Sequence, residues 1–65
     1  MFEDLLIKLH KTEPQPNPNY YHILLDNADI ILLEVAKRNQ GVVAKDLDMS
    51  YSKLSILMSV LREYA

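Results

Sequence analysis

Apolar positions along this 65-residue chain fall into stripes separated by polar breaks. Phe2, Leu5, Leu6 and Leu9 share one face of a helix predicted over about residues 2–11. Glu3 and Asp4 fall in its first turn, Lys8 and Lys11 in its last, which complements the helix dipole. Asp4 and Lys8 also have the spacing of an i,i+4 pair. Glu13-Pro14-Gln15-Pro16-Asn17-Pro18-Asn19 then interrupts any helix, because each proline lacks an amide and biases its predecessor toward extended backbone. Residues 13–19 therefore predict a semi-rigid spacer.

Tyr20-Tyr21-His22-Ile23-Leu24-Leu25 is short, aromatic and apolar, and periodicity alone leaves strand and helix both open. Asp26 or Asn27 then caps a helix running to about Arg38. Its stripe is Ala28, Ile31, Leu32 and Val35, while Ile30 and Leu33 add apolar surface on the far side. Such a helix is buried from two directions, with the first helix as the second cover. Asn39-Gln40-Gly41 ends it, Gly41 supplying the freedom of a helix exit.

The stretch from Gly41 to Leu61 reads as two helices with a tight turn between them. Val43, Ala44 and Leu47 form a short stripe. Leu54, Leu57, Met58 and Leu61 then follow at i, i+3, i+4 and i+7. Met49 sits in the break, and Ser50 is a good N-cap for the last helix, about Tyr51 to Tyr64. The order Val43-Ala44, Leu47, Met49-Ser50, Leu54, Leu57 resembles the helix-turn-helix of small bacterial and phage transcription regulators, some of them winged. In that family a small residue sits where the helices cross, as Ala44 would, and apolar residues occupy the places of Val43, Leu47, Met49, Leu54 and Leu57. Asp48 stands where the family usually has a left-handed glycine, a conformation aspartate tolerates better than most residues.

Chain length bounds this to one domain, 1–65, near the lower limit of independent folding. With 49% apolar residues it is globular in character, and with no cysteine it must be held by helix packing or oligomerisation. No apolar run approaches the ~18 residues of a membrane span. The acidic start Met-Phe-Glu-Asp is unlike a signal peptide, so a cytoplasmic protein of a bacterium, or of a phage acting in its host, is expected. The net charge of −2 is unevenly spread: residues 1–36 carry −4 and residues 37–65 carry +2. The half that resembles a helix-turn-helix is the basic half.

Catalysis is not expected. His10 and His22 lie in different segments, one glycine cannot build a phosphate loop, and no serine has a base beside it in sequence. No cofactor and no metal site are anticipated.

The chemistry lies on the outward side of the last helix. Ser52, Ser55 and Ser59 are short and polar enough to approach base edges, and Ile56 can contact a thymine methyl. The resemblance implies that Ser50, Tyr51, Ser52, Ser55 and Ile56 face DNA. Lys53, Arg62 and Lys45 would then reach phosphates. The plain alternative is a solvated face with solubilising charges. Tyr20 and Tyr21 read as core padding with hydroxyls toward water, ahead of rings that stack on bases or lie at a partner interface. His22 reads as structural, and Met49 and Met58 as core fillers. Ile30, Leu33 and Val60 form either a second core surface or a dimer contact.

The expected fold is all-α: four helices, with a tri-helical core over residues 26–65; a winged-helix-like variant carrying one short strand at about 20–25 is the alternative. The expected function is a small sequence-specific regulator that binds double-stranded DNA as a homodimer and reads the major groove with residues 51–64. The alternative is a protein-interaction module, a phage-type inhibitor or adaptor docking on a larger protein through its acidic and apolar surface. A pure oligomerisation domain is a third reading, and no membrane partner is expected.

Overall fold

In the computed structural model, residues 1–11 and 18–64 are described. They form α1 (Phe2–His10), α2 (Pro18–Asp26), α3 (Ala28–Lys37), α4 (Gln40–Asp46) and α5 (Tyr51–Tyr64). There is no strand among the described residues.

α1 follows its periodicity. Phe2, Leu5 and Leu9 are buried, Leu6 is half-buried, and Lys11 closes the helix with its amide bonded back to Lys8. Residues 20–25, left open between strand and helix, are helix, so the strand of the winged alternative is not found there. Tyr20 and Leu24 are buried within α2, and the buried series continues as Ala28 and Ile31 in α3. That spacing of four, four and three is helical. It was hidden inside an unbroken apolar run, and it shows only when the run is read together with the helix that follows. The expected four helices are therefore five. The expected spacer is shorter at its C-terminal end, because Pro18 and Asn19 open α2, and proline is well tolerated in a first helical turn. Residues 13–17 of the spacer lie outside the described residues.

α2 and α3 are separated by Asn27 alone. Its amide donates to the carbonyls of Ile23 and Leu24, both at 3.2 Å, and its carbonyl accepts from Ile31 at 3.1 Å. The side-chain nitrogen donates to the Ile23 carbonyl at 2.8 Å. Backbone pairing thus runs across the kink, and few polar groups are orphaned.

The exit from α3 also differs from expectation. Gly41 is the second residue of α4 and has no positive φ. The break is made by Arg38 and by Asn39, whose backbone is extended and whose Oδ1 accepts from the Val42 amide at 2.8 Å. Asn39 is an N-cap for α4.

Leu24, Ile31, Val43, Leu54 and Leu61 are the large side chains most completely buried. They come from α2, α3, α4 and α5, with Phe2, Leu5 and Leu9 covering them from α1. Leu32 and Val35 pack on this core half-buried, as does Ile30, whereas Leu33 stays at the surface. The Cα radius of gyration is 10.7 Å, the value of about 11 Å that a compact chain of this length should have. Among the described residues no helix is long and apolar enough to cross a membrane.

Candidate nucleic-acid interface

The site begins with how α4 stops. Leu47 caps it, and Asp48 then takes φ 57°, the left-handed region. The Met49 amide bonds to the Ala44 carbonyl at 3.0 Å and the Asp48 amide to the Lys45 carbonyl at 3.1 Å. These six-residue and four-residue closures form a Schellman motif, which satisfies the last carbonyls of α4. Asp48 therefore holds the conformation that the resemblance assigned to it. Ser50 then accepts from the Lys53 amide at 3.1 Å and starts α5 as its N-cap. Ala44, 3% exposed, is the small buried residue of α4 at this turn, the place the resemblance gives to a small side chain.

A second bond fixes this turn from outside. The buried Tyr20 hydroxyl donates to the Leu47 carbonyl at 3.0 Å, so it does not point to water. Leu47 is one of the end carbonyls of α4 without an intrahelical donor. Tyr20 and Tyr21 meet edge to face with centroids 5.7 Å apart, and the Lys53 ammonium lies 5.5 Å from the Tyr21 ring centre. Tyr21, half-buried, is thus part of the flank of α5.

Core-facing Leu54, Met58 and Leu61 orient α5. At 100° per residue this turns Ser52, Ile56, Ser59 and Glu63 outward. Ser52, Lys53, Ser55, Ile56, Ser59, Val60 and Arg62 are all exposed, as are Ser50, Tyr51 and Lys45. Ile56 is the extreme case at 72%. Val60 and Tyr64 continue its strip at i+4 and i+8, both exposed.

Gln40 is a residue that sequence reasoning missed. From the start of α4, its side-chain nitrogen donates to the Ser55 hydroxyl and to the Tyr51 carbonyl at 3.2 Å. Ser55 is thereby held by the protein, with its own proton left to donate. The signal was Asn39. An N-cap there makes Gln40 the first residue of a helix rather than part of a loop.

The charges are mixed. Arg38 is bonded to Asp46 at 2.8 Å and to Glu34 at 3.4 Å, chiefly through the Asp46 hydrogen bond, which holds it still more firmly protonated than an ordinary arginine. Its charge is neutralised between α3 and α4. Lys45 and Arg62 are exposed near the turn and α5, but so are Asp48 and Glu63. His10 and His22 are exposed on α1 and α2. Ile30 packs partly buried against the core, while Leu33 and Val60 lie on the surface of different helices.

Compared with models of known protein families, with curated proteins and with solved structures, this chain matches none.

Proposed function

We propose that the chain is a small DNA-binding transcriptional regulator in which α5 enters the major groove. One observation carries the reading: the left-handed turn at Asp48, closed over Ala44, which holds α4 and α5 together and leaves the serine side of α5 uncovered. Ser50, Tyr51, Ser52, Ser55, Ile56 and Ser59 face the bases, Ser55 oriented by Gln40. Lys45, Lys53 and Arg62 approach the phosphates on either side. Two copies bind two half-sites, because one short helix makes too few contacts for tight specific recognition.

The test is fluorescence anisotropy on random duplex DNA across a salt series. Three phosphate contacts predict a log–log slope of about −3, and Lys45→Ala with Arg62→Ala should lower it by about 2. Flat anisotropy at low salt would sink the DNA reading.

A second reading has its own support. Ile56, Val60 and Tyr64 form an exposed apolar strip on α5, which suits a protein partner better than a phosphate backbone. An adaptor or inhibitor of a larger protein would leave the anisotropy flat and lose its partner on Ile56→Glu.

A further inference from the structure

Gln40 gives its side-chain nitrogen to two partners in α5, the Tyr51 carbonyl and the Ser55 hydroxyl. A carbonyl can only accept, so the Gln40 atom that faces Tyr51 is the amide nitrogen and not the oxygen. The same nitrogen meets Ser55, and its two hydrogens are then both committed. Ser55 therefore accepts from Gln40. One proton and one lone pair remain on its oxygen.

A helical serine can return its proton to the carbonyl four residues back. For Ser55 that carbonyl is Tyr51. It already takes the Ser55 amide, as the α-helical ladder requires, and the Gln40 nitrogen at 3.2 Å. Both of its lone pairs are occupied. The Ser55 proton has to leave the protein, and Ser55 is exposed, so that outlet is open. Ser52 and Ser59 make no such bond among the described residues, and their hydroxyls can present either a proton or a lone pair.

We infer, on the DNA reading of α5, that Ser55 reads an acceptor edge of a base and that Gln40 is the positioning residue that sets its polarity. In the dry contact between helix and groove, a Ser55 lone pair aimed at a base would strand the proton, and a buried donor without a partner is costly. A Ser55 proton aimed at a base acceptor carries no such penalty. In the major groove guanine shows the acceptors N7 and O6, adenine shows N7 and thymine O4, whereas cytosine shows only its N4 donor. The base under Ser55 is then any but cytosine, guanine foremost.

Site selection from a random duplex pool tests this, with the intact chain and three variants. Ser55→Ala marks the position, as the place where base preference disappears. There the intact chain should bind cytosine at least ~10-fold more weakly than guanine. Gln40→Ala releases the Tyr51 carbonyl to take the Ser55 proton. Cytosine should then come within ~3-fold of guanine, while the other positions keep their preference. Gln40→Glu keeps the side chain's size but accepts the Ser55 proton and turns a lone pair outward. Cytosine and adenine, which show amino donors, should then bind better than guanine. A reversal at one position cannot come from a loosened α4–α5 pair, which would weaken all positions alike.

Three results overturn the inference while salt-dependent binding to DNA persists: cytosine accepted under Ser55 by the intact chain, no preference lost on Ser55→Ala, or Gln40 variants that weaken every position equally. Flat anisotropy of the intact chain at low salt removes the DNA reading itself, and the role of Ser55 with it. The salt series thus tells the two failures apart.

Discussion

Two helix junctions in this chain each turn on one short polar residue, with opposite outcomes. At Asn27 the chain keeps negative φ (−116°), and backbone bonds pass from α2 into α3 across the kink. The buried stripe of Tyr20, Leu24, Ala28 and Ile31 continues through it. At Asp48 φ is 57°, the last amides fold back onto α4, and α5 starts afresh behind its own cap at Ser50. The sign of one dihedral thus separates a bent helix from a reversal. Asparagine and aspartate serve both because their short side chains tolerate unusual backbone and bond locally.

The contrast can be tested at four positions. The largest effect should come from Tyr20→Phe, which removes the tie from α2 to the Asp48 turn and leaves the Leu47 carbonyl buried without its donor. A loss of about 1.5 kcal/mol in urea denaturation is expected. An unchanged midpoint would mean that water reaches that carbonyl.

Glycine sharpens the comparison most. Asp48→Gly relieves a left-handed residue and should stabilise by about 1 kcal/mol. Asn27→Gly loses a side-chain bond and loosens a nearly helical position, and should destabilise by about 1 kcal/mol. In a chain of this size each change shifts Tm by about 5 °C. Melting shifts of the same sign would show that the two junctions do not differ as described.

The smallest effect belongs to Gly41→Ala. Gly41 is helical, and an added Cβ would come no closer than 3.4 Å to Asn39 Oδ1. A gain of about 0.5 kcal/mol is expected by thermal melting.

Much of this was legible in the residues. α1 and α5 announce themselves because their apolar positions alternate with polar ones at a helical period. The reversal was legible too, through Ala44, the unusual place of Asp48, and Ser50. α2 was not, because the five residues of Tyr20 to Leu25 other than His22 are all aromatic or aliphatic, and a run without polar contrast carries no period. Gly41 misled for a different reason. Glycine marks helix exits by habit, but here the cap at Asn39 had already begun the next helix. Of the candidate site, the serine face of α5 could be read from spacing alone. The hold of Gln40 on Ser55 and the place of Lys53 over Tyr21 join residues far apart in sequence, and only packing brings them together.

The bond from Tyr20 to Leu47 also says something about the order of cause and effect. Every bond that shapes the turn spans at most five residues, whereas this one spans 27. Closing the longer loop costs about 1.5 kcal/mol more in chain entropy, roughly the net worth of one hydrogen bond. The hydroxyl cannot draw α2 to the turn by itself. Burial of Leu24 and Ile31 has to bring the helix there, after which the bond selects one rotation of α2 among those that hydrophobic contact alone would allow.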